Sequence, residues 1–275
     1  MNLPFAEVIG DPVAQSKSPL IHKHWLQVLD IEGDYLRTRV DTADLGAFLA
    51  ERRVDPDWRG CNVTVPHKET LVQLLDELDE SVAAVGAVNC VVPRSGRLVG
   101  YNTDVDGVAA ALDVTEFDGR DAILIGAGGA ARAAVAYLAG RNLESLTVLA
   151  RDPVKAESLR SLAPRVNFRF VGLDDDPAAE SPSAIINASP LGMLGSPEMP
   201  GNLLATVTAL ANGATVFDMV YNPLETAFLA AGCDAGGLPV DGLTMLIGQA
   251  ERAFDLFFGQ PPSPDHRGVR ELLTT

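Results

Sequence analysis

The chain of 275 residues is poor in cysteine, has no long apolar run and carries a deficit of positive charge. Its three cysteines, Cys61, Cys90 and Cys233, are odd in number and far apart, which suits neither a disulfide framework nor a Cys-x-x-Cys metal site. They read as small, mostly buried residues. No segment reaches the roughly 18 apolar residues that a membrane span needs. The opening Met1-Asn2-Leu3-Pro4-Phe5 has no basic stretch leading into an apolar one, so a cytoplasmic chain is expected. Lys and Arg number 21 against 37 Asp and Glu, a net charge of −16, and that field repels nucleic acid and anionic membranes. There is no internal repeat of fixed period and no low-complexity tract. His22, His24, His67 and His266 lack partners at ligand spacing, so no metal is assigned.

What the sequence does contain is an apolar run, Ile123-Leu124-Ile125, opening into Gly126-Ala127-Gly128-Gly129-Ala130-Ala131 and then a helical pattern. The glycines allow a tight turn and close approach of the backbone to a pyrophosphate, whose charge is met by unpaired N–H groups at the following helix N-terminus. Strands are expected at 122–125 and 145–150 around a helix at 128–140, one βαβ unit. Further buried strands at 166–171, 184–188 and 215–220 extend a parallel sheet to about residue 240. Ahead of this lies a different rhythm, with strands at 6–10, 34–40, 59–65 and 87–93 separated by amphipathic helices. Arg94-Ser95-Gly96-Arg97 reads as the turn of a hairpin. Leu243, Leu246, Ile247, Ala250, Phe254, Phe257 and Phe258 form a long helical stripe expected to return to the first domain. The architecture is α/β with two domains. Residues 1–103 and 240–275 form an N-terminal α/β substrate domain with a mixed sheet, and 104–239 form a Rossmann-type doubly wound nucleotide-binding domain. Such split domains leave a cleft between them where small ligands bind.

Polar residues collect at the predicted strand ends of the first domain. Ser16-Lys17-Ser18-Pro19 offers two hydroxyls and the N–H groups of an incoming helix, a set that suits a carboxylate; alternatively Ser18 only caps the helix and Ser16 only supports the turn. Asn62 and Thr64 project to one face of a strand that runs through Val65 into a helix begun by Pro66. Lys68 then falls in the first helical turn, whose positive end disfavours an ammonium, and is a candidate general acid/base; the plain reading is an exposed lysine. Asn89 is placed in a strand. Asp104 follows Asn102-Thr103 at the start of a helix over 105–112, either as a first-turn acid with a cap before it or as an ionised carboxylate holding Lys68 and accepting hydroxyl protons.

Taken in order, Ser16-Lys17-Ser18-Pro19, Asn62-Val63-Thr64-Val65-Pro66-His67-Lys68, Ala87-Val88-Asn89, Asn102-Thr103-Asp104, Gly126-Ala127-Gly128-Gly129-Ala130-Ala131-Arg132, Asn187-Ala188-Ser189-Pro190-Leu191-Gly192 and Gly248-Gln249-Ala250 make the chain resemble the shikimate dehydrogenases over essentially its whole length. The resemblance implies NADP-linked, reversible reduction of 3-dehydroshikimate to shikimate, a step of aromatic amino-acid biosynthesis. It implies Lys68 and Asp104 as the catalytic pair, Ser16 and Ser18 on the carboxylate, and Asn62, Thr64, Asn89 and Gln249 on ring hydroxyls. Tyr221 would lie at the substrate, Met219 and Gly242 near the nicotinamide, and Gly126, Ala127, Gly128, Gly129 and Ala130 around the pyrophosphate. The implied partners are small molecules, with no nucleic acid and no membrane, and the chain is expected as a monomer or homodimer.

The chain departs from the family pattern at Ala150-Arg151-Asp152-Pro153, where Asn-Arg-Thr is common, and at Cys90 and Ser189, where threonine is frequent. Arg151 and Lys155 suit a 2′-phosphate. Asp152 suits a free ribose, the usual NAD device, or serves as a plain N-cap before Pro153. The basic pair favours NADP, with NAD or dual use open. Two rivals follow: a quinate/shikimate dehydrogenase using NAD, and a catalytically idle ligand-sensing relative, against which Lys68 and Asp104 argue.

Overall fold

The computed structural model describes residues 3–177, 179–262 and 267–274; the readings on Met1, Asn2 and His266 lie outside them. The chain divides into two compact units, Met1–Asp104 with Gln249–Thr275, and Val105–Gly248. Among the described residues no helix is long and apolar enough to cross a membrane.

In the first unit, strands β1 (Phe5–Gly10), β2 (Asp34–Arg39), β3 (Trp58–Val63), β4 (Glu77–Leu78), β5 (Cys90–Arg94) and β6 (Arg97–Tyr101) lie in the order β2-β1-β3-β5-β6-β4. β1 is parallel to β2 and β3, β5 is antiparallel to β3 and β6, and β4 is parallel to β6. The sheet is therefore mixed, as the sequence rhythm suggests. Ser95 (φ 51°) and Gly96 (φ 80°) turn the β5–β6 hairpin, both in the left-handed region that a two-residue turn matching the strand twist requires. Period-two alternation sends Ala6 and Val8 to one face with Tyr35 and Val92, and Ile9 to the other with Leu45, Phe48 and Trp58. The helices of this stretch are α1 (Ser18–Val28), α2 (Leu45–Arg53) and α3 (Glu80–Val85).

The second unit contains α4 (Asp104–Leu112), which begins on the last residue of the first, then β7 (Arg120–Ile125), α5 (Gly129–Ala139), β8 (Leu143–Leu149), α6 (Pro153–Ser158), β9 (Asn167–Val171), β10 (Ala184–Asn187), α7 (Gly201–Leu210), β11 (Thr215–Asp218), α8 (Ala227–Asp234) and β12 (Leu238–Val240). All its strand pairs are parallel, in the order β12-β11-β10-β7-β8-β9. This is the doubly wound dinucleotide-binding order, in which the strand sequence reverses between β7 and β10. Because helices cover both faces, the strands are apolar without alternation: Ala122 and Leu124 join one core, Ile123 and Ile125 the other.

The apolar stripe forms α9 (Gly242–Phe258), followed by α10 (Arg267–Thr274). Met245 enters the core of the second unit, while Ala253, Leu256 and Phe257 enter that of the first, and Phe254 meets Trp25 of α1 edge to face.

Candidate active site

The first unit gathers its polar residues at the carboxyl ends of β1 and β3 and the start of α4. Lys68 Nζ donates to Asp104 Oδ2 at 2.6 Å. Asn89 Nδ2 donates to Asp104 Oδ1 at 2.8 Å and to Thr103 Oγ1 at 3.0 Å, while its Oδ1 accepts from the Thr103 N–H at 2.7 Å. Both carboxylate oxygens of Asp104 are thus engaged, and its own N–H goes to Asn102 Oδ1 at 3.1 Å. The Lys68 side chain is 26% exposed and that of Asp104 12%, so an ammonium with three donors is held by one carboxylate with donors left over for a ligand oxygen.

Asn62 is buried; its Oδ1 accepts from the Tyr35 hydroxyl at 2.6 Å and its Nδ2 donates to the Asn89 carbonyl at 3.4 Å. Thr64 follows β3, its N–H bonded to the Ile9 carbonyl at 2.9 Å. The Ser16 hydroxyl lies 3.2 Å from that of Ser18 and accepts from the Ser18 N–H at 3.3 Å. Gln249 stands half-buried on α9.

Three local expectations are corrected. The chain after Pro66 forms no α-helix: residues 65–69 are turns leading to a 3-10 turn over Thr70–Gln73, so no helix dipole acts on Lys68. Sheet-side bonds set the path instead, Asp11 N–H to the Val65 carbonyl at 3.1 Å and Val88 N–H to the Lys68 carbonyl at 2.8 Å. Second, Asn89 precedes β5 rather than lying in a strand, although its backbone bonds to both neighbouring strands, its N–H to the Tyr101 carbonyl at 3.0 Å and its carbonyl to the Val63 N–H at 2.7 Å. Third, Lys17 rather than Ser18 occupies the N-cap position of α1 and makes no side-chain cap bond, since an ammonium has no acceptor to offer; the Ser18 N–H goes to the Ser16 hydroxyl instead. His67 is buried, its Nε2 2.7 Å from the Val40 carbonyl.

In the second unit, a cavity of about 250 Å³ opens at the reversal point of the sheet, lined by Gly126, Ala127 and Gly128 after β7, by Arg151, Asp152 and Lys155 after β8, and by the loop after β10. Gly126 has φ 111°, and a Cβ there would lie 3.0 Å from the Ala188 backbone, whereas Gly128 and Gly129 face open space. Gly128 is the N-cap of α5, with Ala130 in its first turn, leaving backbone N–H groups for an anion. Asp152 Oδ1 caps α6, accepting from the Val154 and Lys155 N–H groups at 3.0 and 3.2 Å. An open glycine cradle beside two cationic side chains fits a phosphorylated dinucleotide.

Met219 and Tyr221 follow β11. Tyr221 is 36% exposed, and partial burial raises the pKa of its phenol. A Cβ on Gly242 would lie 2.6 Å from the Met219 carbonyl oxygen, so α9 starts hard against this loop. Asp218, absent from the sequence-derived set, ties the loops together: its Oδ1 accepts from Asn187 Nδ2 at 2.9 Å and Val220 N–H at 3.0 Å, its Oδ2 from Thr226 at 2.6 Å. Burial raises its pKa against these three bonds. The signal available beforehand was an acid at the end of an otherwise apolar strand, a position that demands partners.

Known proteins resemble the chain over nearly its whole length. The family model of the shikimate dehydrogenase substrate binding domain matches residues 8–91, and that of the shikimate 5′-dehydrogenase C-terminal domain matches residues 242–266. Among solved structures, shikimate 5-dehydrogenase from Thermus thermophilus in complex with NADP(H) and shikimate superposes with a TM-score of 0.82 at 33% identity, covering 98% of each chain. Ligand-free 5-ketofructose reductase of Gluconobacter sp. strain CHM43 gives 0.88 at 27% identity over 99% of this chain and 98% of that one. Shikimate dehydrogenase (NADP(+)) of Sphingopyxis alaskensis is 46% identical over 274 residues, 98% of this chain and 97% of that protein. Similar to that enzyme from end to end and superposing on its solved relatives over nearly the whole length, this chain belongs to the shikimate dehydrogenase family.

Proposed function

We propose that the chain is a shikimate dehydrogenase, interconverting 3-dehydroshikimate and shikimate with NADP(H) in aromatic amino-acid biosynthesis. The reading rests above all on the 2.6 Å pair of Lys68 and Asp104, locked by Asn89. In the reducing direction, the bound nicotinamide supplies a hydride to the ring ketone carbon. Lys68 gives its proton to the emerging oxyanion, and Asp104 orients the neighbouring hydroxyl while holding the amine in place. Ser16 and Ser18 hold the carboxylate, and Asn62, Thr64, Asn89 and Gln249 hold ring hydroxyls, with Tyr221 at the substrate. Gly126 to Ala130 take the pyrophosphate, Arg151 and Lys155 the 2′-phosphate, and Met219 and Gly242 the nicotinamide end. Because Asp152 spends one carboxylate oxygen on capping α6, its role is accounted for without a ribose, which leaves the basic pair to select NADP. The same reading puts the enzyme in the cytoplasm with the NADPH pool, as a monomer or homodimer.

The test is a panel of steady-state rates at the nicotinamide absorbance band with shikimate, quinate and 5-ketofructose, each paired with NADP or NAD in the appropriate redox form. Shikimate with NADP should give the highest kcat/KM. Lys68→Ala should lower kcat by roughly 10² to 10⁴ with little change in shikimate KM. Near-normal turnover in that variant would remove Lys68 from the chemistry, and ligand binding without any turnover in the unaltered protein would favour an idle sensor.

A further inference from the structure

Strand β2 carries none of the residues assigned to ligand contact, yet two of its side chains each hold one of them. Tyr35 and Arg37 are two apart and so share one face of the strand. Tyr35 is fully buried, and its hydroxyl donates to Asn62 Oδ1 at 2.6 Å. Its ring is stacked on that of His22 with centroids 4.0 Å apart and planes 5° from parallel, so the phenol has one orientation. Burial pushes its pKa well above the ordinary value, which keeps it a donor at any working pH. Arg37, exposed at the sheet edge, donates from Nε at 3.0 Å and from NH2 at 2.7 Å to the Ser16 carbonyl, pinning the peptide from which the two serine hydroxyls project.

We propose that β2 is a positioning element for the substrate, with Tyr35 setting the amide of Asn62 for a ring hydroxyl and Arg37 setting the Ser16–Ser18 turn for the carboxylate. The inference rests on the reading of Ser16, Ser18 and Asn62 as substrate-binding. Tyr35 touches no ligand: it fixes the Asn62 oxygen inward, so that the amide N–H₂ end is what remains for a substrate oxygen. Arg37 acts through backbone, and it also brings a cation to the turn where a carboxylate would sit, a field that a neutral ligand does not feel.

The experiment measures kcat and separate KM values for shikimate and NADP in Tyr35→Phe, Arg37→Ala and Arg37→Lys, together with KM for shikimate methyl ester. Tyr35→Phe and Arg37→Ala should each raise shikimate KM about 5- to 20-fold, the cost of one to two well-formed hydrogen bonds, leaving NADP KM within about two-fold and kcat within about three-fold. Arg37→Lys should recover part of the loss for shikimate, and Arg37→Ala should change the ester's KM by less than it changes the acid's. An unchanged shikimate KM, or an equal rise in both KM values, overturns the proposal. Should Tyr35→Phe not fold, the two Arg37 variants decide alone. If the unaltered protein does not turn over shikimate at all, it is the functional reading that fails, and these comparisons separate the two failures.

Discussion

At the scale of single residues, His22 shows how burial writes pH dependence into a fold. It is fully buried among Tyr35, Trp25, Phe254 and Phe257, neither ring nitrogen finds a partner among the described residues, and desolvation lowers its pKa from 6.5 to about 3. Above pH 6.5 the imidazole is neutral whether the chain is folded or not, and pH has no effect through it. Below that, the unfolded chain takes up a proton that the folded chain refuses, so stability falls by about 1.4 kcal/mol per pH unit towards pH 3. His22→Phe should remove this contribution, so that denaturant unfolding at pH 7, 6 and 5 declines less steeply than in the unaltered protein; equal slopes would count against it. Residues such as Asn62, Asn89 and Asp104 were legible in the sequence because a polar side chain at the end of an apolar run has few other reasons to be there. Tyr35 was not, since a tyrosine within a strand reads as core and its partner lies 27 residues further on.

Among secondary-structure elements, what was readable followed from apolar runs and turn residues, and what was not followed from tertiary bonds. Five of the six doubly wound strands and the β5–β6 hairpin could be placed from local pattern, while β12, Leu238–Val240, was not placed. The two-residue strand β4, Glu77–Leu78, is too short to show any period, and the segment after Pro66 takes its turns from bonds to β1 and to Val88 rather than from its own propensity. The start of α9 is the most exacting joint between elements. A side chain on Gly242 would collide with the backbone of both Met219 and Val220, at 2.6 to 2.7 Å, and backbone cannot swing aside as a side-chain tip can. Gly242→Ala should therefore displace the loop after β11, weakening NADPH binding about 5- to 20-fold in a fluorescence titration and costing roughly 1–3 kcal/mol of stability, the usual cost of overpacking. Unaltered affinity would show that this loop does not touch the nucleotide.

For the molecule as a whole, the second unit has its own pair of cores on the two faces of a parallel sheet and lines its cavity without help from the first. NADP alone should then raise the melting temperature, with no substrate present. At about 100 times its Kd the gain is about 2.7 kcal/mol, and calorimetry that showed a shift only after shikimate was added would contradict a self-sufficient nucleotide site. That two sheets of different character are present could be anticipated from the change of rhythm near Asn102, because parallel strands buried on both sides and mixed strands leave different apolar signatures. The point at which the chain returns could not, because it falls within a single uninterrupted helix: α9 runs for 17 residues from Gly242 to Phe258, and the division between the units comes after Gly248. A breeder of chimaeras who wished to graft the nucleotide module of one relative onto the body of another would find no loop at this seam, and any workable crossover has to preserve the helical phase that delivers Met245 to one core and Phe257 to the other.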